Sequence, residues 1–311
     1  MARKKSKSAR PRDPQQTAAI RRGMMHTLAS LVFIGLLGFG FYRLRHYVMA
    51  DVLKPEKPPT VVLKNRPLWM SDVLARQILS SLQPTESRTV FDRQLLIQTA
   101  ATLNKNPWIK EVRQVRRAFG REPGDTIEID CDFRAPIALV HWKDYYWLVD
   151  GQAVKLPEQF TAAQLKGIIY GPDGRLNIRI VEGISEPPVE SGRTWAGDDL
   201  VAALDMIKLL FGQSYAEEIT RVDISNFKGR VDQREGQIKL ITKYDTSIHW
   251  GQPISSQDFF AEVPPNQKLQ HLQEVYQKFR RIDAGMQWID VRFDKITYPS
   301  AAANAHADSA R

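Results

Sequence analysis

The feature that most constrains this chain is an uncharged apolar run near its N-terminus. Residues 23–42, GMMHTLASLVFIGLLGFGFY, contain no Lys, Arg, Asp or Glu. A helix of that length rises about 30 Å, which matches the hydrocarbon core of a bilayer. A buried helix of a soluble protein is the alternative, but such helices keep a polar face and this run is apolar all round. The run therefore predicts a single transmembrane helix over residues 23–42.

The charges on either side of the run predict its orientation. Residues 1–22 hold eight Lys and Arg against one acid, whereas residues 43–59 hold four bases and two acids. Since cytoplasmic flanks carry the excess of Lys and Arg, we expect a cytoplasmic N-terminus and exported C-terminal domains. Val48-Met49-Ala50 resembles a signal-peptidase site, but secretory apolar regions span only about 7 to 15 residues. We therefore expect an uncleaved anchor.

Composition narrows the classes of partner. The formal net charge is +9, of which residues 1–22 supply +7, so the remainder is close to neutral. This distribution argues against nucleic-acid binding and predicts that the span and basic tail contact membrane lipid. Cys131 is the sole cysteine, which excludes an intramolecular disulfide and a thiolate metal cluster.

The sequence after the run predicts an α+β protein with two exported domains. Residues 60–135 follow the order strand, helix, helix, strand, strand, and residues 136–298 form a sheet-dominated domain with two helices. We expect residues 1–22 and 299–311 to be disordered and the Pro-rich residues 43–59 to be a stiff linker. The predicted strands are 60–64, 109–119, 125–133, 137–142, 145–149, 152–156, 219–224, 237–242, 246–250 and 287–293, and the predicted helices begin at Ser71, Asp92, Asp198 and Asn266.

Three carboxylates point the same way along the strand at 125–133: Glu128, Asp130 and Asp132. Such a stripe is a candidate for calcium ligands or for an acid/base set. Its hairpin partner supplies three arginines, so cross-strand ion pairs explain the stripe without a ligand. These are Arg113, Arg116 and Arg117.

Other residues that resemble catalytic groups have structural interpretations. Cys131 shares the apolar face of its strand with Ile127, Ile129 and Phe133 and is predicted to be an inert core residue. The six histidines lack metal-binding spacing, and no nucleophile or phosphate-binding motif occurs. Asp198-Asp199 is predicted to start a helix and Glu217-Glu218 to lie in a solvated turn. We therefore expect no enzyme activity, catalytic residue, metal, cofactor or small-molecule substrate.

Two groups of residues are candidates for binding a protein. The aromatic cluster Trp142, Tyr145, Tyr146 and Trp147 is predicted to form cross-strand packing, with an exposed part as an alternative contact surface. The stronger candidate is the final strand. If that strand lies at the sheet edge, its unpaired N–H and C=O groups can accept a partner strand.

The final strand alternates in character. Ile289, Val291 and Phe293 are predicted to face the core. The opposite face carries Trp288, Asp290 and Arg292.

Four motifs together resemble the bacterial cell-division protein family FtsQ/DivIB. They keep the family's order and spacing behind a basic tail, a span and a linker. Phe133 stands where the family usually has Glu, which marks a divergent member. The motifs are residues 106–117 (NPWIKEVRQVRR), 125–136 (DTIEIDCDFRAP), 146–151 (YWLVDG) and 289–293 (IDVRF).

The resemblance implies a POTRA-like domain at 60–135 and a β domain at 136–298. It implies a non-catalytic divisome scaffold at the septum, held in the inner membrane by one span with its domains in the periplasm. The implied partner is an FtsB/FtsL or DivIC-like coiled-coil pair, bound at the last helix and strand by strand addition. Arg292 and Phe293 match the terminal motif, and Tyr298 lies near further implied contacts.

Two other functional classes stay open at this stage. One is a POTRA-type anchored binding or transport and assembly factor, which normally shows several such units or a barrel. The other is a membrane-anchored cell-wall enzyme, which requires a polar cleft with converging catalytic groups.

Overall fold

The computed structural model describes residues 14–48, 58–82, 93–118, 126–256 and 262–299, and the protein is a mixed α+β fold. In these residues the helices are α1 (Pro14–Tyr47), α2 (Asp72–Ser80), α3 (Arg93–Asn104), α4 (Lys166–Ile169), α5 (Asp198–Leu210) and α6 (Pro265–Phe279). The strands are β1 (Thr60–Leu63), β2 (Ile109–Ala118), β3 (Thr126–Phe133), β4 (Pro136–Trp142), β5 (Tyr145–Asp150), β6 (Lys155–Phe160), β7 (Arg179–Glu182), β8 (Ile219–Asp223), β9 (Ile238–Thr242), β10 (Ser247–Gly251) and β11 (Trp288–Asp290).

Helix α1 contains the predicted apolar run. Its part Arg21–Tyr47 contains an 18-residue stretch with a mean hydropathy of 1.8 and no buried side chain, and it has the length and composition of a membrane span. The helix begins at Pro14, a residue suited to a first turn, and continues through Gln, Ala and Arg, which are good helix formers. The expected disorder is therefore wrong for residues 14–22. Residues 1–13, 49–57 and 300–311, with most of the predicted linker and the C-terminal tail, lie outside the described residues.

Elements β1 to β3 follow the predicted order strand, helix, helix, strand, strand, and their sheet order is β1-β3-β2. Helix α2 begins as predicted, because the Ser71 hydroxyl accepts a hydrogen bond from the Leu74 N–H at 3.2 Å. Along β3, Ile127, Ile129 and Cys131 are buried, whereas the intervening side chains are only half-buried. The predicted alternation is confirmed as far as Cys131, whereas Phe133, predicted on the same face, is half-buried.

The chain divides into two compact units. One comprises Met1–Val62, Gln83–Gln98 and Val115–Glu128, and the other comprises Leu63–Leu82, Thr99–Gln114 and Ile129–Arg311. The predicted domain boundaries at 60, 135 and 298 stay predictions.

The second unit contains an eight-stranded sheet in the order β11-β10-β9-β8-β7-β4-β5-β6. The pairs β4–β7, β7–β8 and β10–β11 are parallel, and the others are antiparallel. Apolar side chains of α5 and α6 join those of the central strands in one buried core. Because side chains alternate between faces, Arg221, Lys239 and His249 lie on the opposite, polar face.

Strand β7 is absent from the sequence prediction, although it lies in the middle of the sheet. Its buried Arg179 interrupts the apolar pattern of the run. The Arg179 guanidinium donates to the carbonyls of Ile219 at 3.0 Å and Ala216 at 2.6 Å. A charged side chain in a central strand is stable here because backbone carbonyls from a neighbouring segment accept its hydrogen bonds.

Candidate partner-binding edge

Strand β11 is the terminal strand of the eight-stranded sheet. It runs parallel to β10, with Ile248 opposite Ile289 and His249 opposite Asp290. It is shorter than the predicted 287–293, since regular pairing ends at Asp290. Strand β11 is therefore the last regular strand at this end of the sheet.

The outer side of β11 is partly covered by the chain that follows it. The Asp290 N–H donates to the Thr297 carbonyl at 2.9 Å, and the Thr297 N–H donates to the Asp290 carbonyl at 3.0 Å. We call Ile296–Tyr298 the edge segment. The outermost chain at this end of the sheet is therefore the edge segment, beyond the motif-bearing strand β11.

The edge segment presents unused backbone groups. In an antiparallel pair, neighbours of a hydrogen-bonded residue direct their N–H and C=O groups to the other side. From the bridge at Thr297 we expect Ile296 and Tyr298 to direct theirs away from β11, and within the described part of the chain these groups have no hydrogen-bond partner. Sequence reasoning missed this segment, although its β-branched and aromatic residues Ile296-Thr297-Tyr298 are typical of a strand.

Asp290 and Arg292, two predicted contact residues, bind each other. The Arg292 guanidinium donates to both carboxylate oxygens of Asp290, at 2.6 to 3.1 Å. The backbone N–H of Arg292 also donates to the Asp290 carboxylate, at 3.0 Å. Burial opposes ionisation of Asp290, but the Arg292 hydrogen bonds and charge outweigh it and hold the pKa of the carboxyl below its usual value. This ion pair joins the last residue of β11 to the chain that follows it, so its first role is structural.

Trp288 forms an aromatic pair with the neighbouring strand. Its ring stacks on His249 with centroids 5.6 Å apart and planes at 9°. Burial lowers the pKa of His249, while the Asp290 carboxylate, 4.0 Å from Nδ1, opposes that shift. The half-buried Trp288 side chain lies on the polar face of the sheet.

Phe293 and Tyr298 provide exposed aromatic surface near the edge. The core position predicted for Phe293 is wrong: its side chain is 44% exposed, because β11 ends at Asp290 and its alternation stops there. Tyr298 is half-buried, and its ring meets that of Phe279 edge-on at 6.5 Å. The apolar contact surface beside the edge segment therefore includes the end of helix α6.

A buried ion pair between Lys268 and Glu262 links helix α6 to the end of β10, next to β11. Lys268 of α6 is 1% exposed, and its ammonium donates to the Trp250 carbonyl at 2.7 Å and to Glu262 at 2.6 Å. Glu262 fills the space that a Cβ on Gly251 needs, and Gly251 has a φ of 94°, which favours glycine. Burial lowers the pKa of Lys268, and Glu262 opposes the shift. The next residue, Val263, donates its N–H to the Arg292 carbonyl at 2.8 Å, which ties the network to the chain after β11.

The carboxylate stripe on β3 forms ion pairs. Arg113 binds both oxygens of Asp132, at 2.9 and 2.8 Å, and Arg116 binds Glu128 at 2.9 Å, which confirms cross-strand pairing for these two carboxylates. Asp130 instead accepts from the Asn65 amide at 2.8 Å and lies 3.8 Å from the Lys64 ammonium. The Asp130 partners come from the residues that follow β1, so the facing arginines explain only part of the stripe.

Cys131 is placed as predicted, in the core. Its side chain is 3% exposed, and burial, with smaller effects of Asp130 and Asp132, raises the pKa of the thiol to about 11. A thiol of this kind is a poor nucleophile. Among the described residues, no group of three or more His, Cys, Asp and Glu side chains is arranged to hold a metal ion.

The aromatic cluster Trp142, Tyr145, Tyr146 and Trp147 shows both the predicted cross-strand packing and an exposed part. Trp142 and Trp147 pack partly against the core, and the Lys155 ammonium lies 4.2 Å from the Trp147 ring centre. Tyr146 stacks on His141 at 4.5 Å, whereas Tyr145 is 42% exposed. The cluster therefore packs between strands and leaves one exposed ring.

Comparison with protein-family models and with curated proteins gives no match to this chain. The resemblance to FtsQ/DivIB therefore depends on the four motifs and on the order of the elements.

Proposed function

We propose that this protein is a non-catalytic, single-pass membrane scaffold of the FtsQ/DivIB type, which binds a protein partner by strand addition at the edge segment. The observation that carries the proposal is the bridge of Thr297 to Asp290 on the outer side of β11, beside which the backbone groups of Ile296 and Tyr298 have no partner within the described residues. An added strand satisfies such groups and extends the sheet.

Three further features support the proposal. Helix α1 has the length and composition to hold the chain in a membrane. The βααββ order of the first elements is consistent with a POTRA-like domain. Phe279, Phe293 and Tyr298 offer exposed or half-exposed rings beside the edge, where side chains of an added segment gain apolar contact.

The proposed partner is an FtsB/FtsL or DivIC-like coiled-coil pair that contributes one extended segment. The proposed location is the inner membrane at the division septum, with the N-terminus in the cytoplasm and the two domains in the periplasm. Backbone pairing supplies affinity, and outward side chains of the edge segment set the register.

The test compares two substitutions of one residue in the full-length chain, reconstituted in nanodiscs and titrated with the coiled-coil pair. Ile296→Pro removes an outward N–H, whereas Ile296→Val keeps it. The hydrogen bonds between Thr297 and Asp290 are left in place by both. We expect the Pro variant to bind at least about tenfold more weakly, because it loses a hydrogen bond and the ring obstructs the added strand, and the Val variant to bind within about twofold of wild type.

Hydrogen exchange of the Asp290 amide checks that the edge segment stays in place in both variants. Equal binding by the Pro and Val variants would disprove strand addition at this edge. Absence of wild-type binding at tens of micromolar would disprove the partner assignment.

A further inference from the structure

The turn between β1 and α2, together with the first turn of α2, displays three apolar side chains on one short stretch. Leu68 is 107% exposed, Val73 is 67% exposed and Trp69 is 41% exposed. We call Leu68, Trp69 and Val73 the apolar turn. Apolar side chains displayed together in this way mark a contact surface more often than isolated ones do.

The turn is held in a fixed shape. The Met70 N–H donates to the Pro67 carbonyl at 3.1 Å, which places Leu68 and Trp69 at the two central positions of a β-turn. The Arg66 guanidinium donates to the Met70 carbonyl at 2.6 and 3.2 Å, and the Met70 side chain is 2% exposed. The turn therefore presents Leu68 to solvent as a fixed feature of the fold.

Cationic side chains flank the apolar turn. Residues 64–76 contain Lys64, Arg66 and Arg76 against the single acid Asp72. Asp72 is bound by the Arg66 guanidinium at 2.5 Å. Lys64 lies 3.8 Å from the Asp130 carboxylate, so the stretch and its ion-pair partners together keep one net positive charge. The stretch therefore combines Trp and Leu with a cationic side chain, Arg76, a composition found at the interface of an anionic bilayer.

The chain length keeps this turn close to the membrane. Helix α1 ends at Tyr47 and β1 begins at Thr60, so residues 48–59 are the whole tether. Fully extended, they reach at most about 40 Å, and Leu68 follows shortly after. A tether this short keeps the local concentration of lipid high, so even a weak contact is populated.

We propose that the apolar turn inserts Leu68, Trp69 and Val73 into the interface of the bilayer that holds α1. The inference depends on α1 being a membrane anchor and is independent of the partner-binding edge. The lipid contact restricts the orientation of the exported part of the chain relative to the membrane surface, which a tether alone does not do.

The test uses full-length protein in liposomes of phosphatidylethanolamine and phosphatidylglycerol. A Leu68→Cys variant is labelled with the environment-sensitive fluorophore NBD, and Val231→Cys, at a position that is 76% exposed, is the matched control. The native Cys131 is buried, so labelling is directed to the introduced thiol. Doxyl-labelled lipid and aqueous iodide are the two quenchers.

We expect lipid quenching of the Leu68→Cys probe at least threefold stronger than that of the Val231→Cys probe, and iodide quenching less than half as strong. A Val73→Cys probe is expected to follow the Leu68→Cys probe. Equal iodide quenching at positions 68 and 231 would overturn the proposal. Shielding at position 68 that appears only after a partner protein is added would also overturn it, because it would assign the surface to a protein.

Discussion

Asp290 and Thr297 exchange two backbone hydrogen bonds, at 2.9 and 3.0 Å, across the outer side of the last strand. This single pairing moves the open edge of the sheet from β11 to the edge segment. A substitution directly after β11 and a substitution in the edge segment therefore test different hydrogen bonds. Val291→Pro removes an N–H that donates to His249 at 3.3 Å inside the sheet, whereas Ile296→Pro removes one that points outward.

The first prediction concerns this pairing. Thr297→Pro removes the N–H that donates to Asp290, so we expect the free energy of unfolding to fall by about 1 kcal/mol and the Asp290 amide to exchange at least about tenfold faster. Hydrogen exchange and thermal unfolding of the full chain in detergent measure both effects. Thr297→Val keeps the N–H and serves as the control. Full protection of the Asp290 amide in the Pro variant would show that the pairing does not hold the segment.

The second prediction concerns the buried pair of Lys268 and Glu262. Lys268→Met leaves the Glu262 carboxylate without its cation, although among the described residues the Gln252 N–H still donates to it, so we expect a loss of about 3 kcal/mol in the free energy of unfolding. Adding Glu262→Gln is expected to restore part of that loss, since a neutral amide costs less to bury. Chemical unfolding measures all three proteins. A double variant as unstable as Lys268→Met alone would mean that packing of the lysine, and not its charge, dominates.

The third prediction concerns the pH dependence of stability. Glu158 accepts a hydrogen bond from the Trp108 indole at 3.3 Å. Burial raises the pKa of its carboxyl, opposed by hydrogen bonds from its own backbone and from Trp108. The pKa of Glu158 is therefore higher in the folded than in the unfolded protein, where it is about 4.5. The contribution of protonated Glu158 to the stability of the fold is fully present below the unfolded pKa and is lost as pH rises through the folded pKa.

Glu158→Gln is therefore expected to raise the melting temperature at neutral pH and to flatten the slope of stability between pH 4 and 7. The matched control is Glu190→Gln, because Glu190 is exposed and paired with Arg193 at 3.1 Å on the surface. Melting curves across this pH range measure both variants. An unchanged slope in Glu158→Gln would assign the pH dependence to other groups.

The fourth prediction concerns the reactivity of Cys131. With a pKa of about 11 and a buried side chain, roughly 0.1% of the thiol is ionised at pH 8. We expect maleimide labelling of the native protein to be at least about 100-fold slower than labelling in denaturant. The exposed thiol of the Val231→Cys variant gives the rate for an accessible site. Rapid labelling of native wild type would contradict the core position of Cys131.

Several buried charges show why part of the fold is inaccessible to sequence reasoning. Glu218, predicted to lie in a solvated turn, is buried and accepts the Ile282 N–H at 2.8 Å. Asp199 starts α5 as predicted, but it is 2% exposed and accepts from the N–H and hydroxyl of Ser185 and from Arg230. These partners are distant in the sequence, and no local pattern identifies them.

Local periodicity along the chain was enough to predict some features of the fold. The uncharged run 23–42 predicted a membrane-spanning helix, and alternation along β3 predicted the buried positions of Ile127, Ile129 and Cys131. These succeed because helix and strand geometry repeat every few residues, so neighbours along the chain carry the signal. Three other features became known from the folded structure: Asp290 pairs with Thr297, Lys268 is buried and Phe293 is exposed. Each depends on which distant backbone and side-chain groups meet when the chain folds, and no local pattern records those meetings.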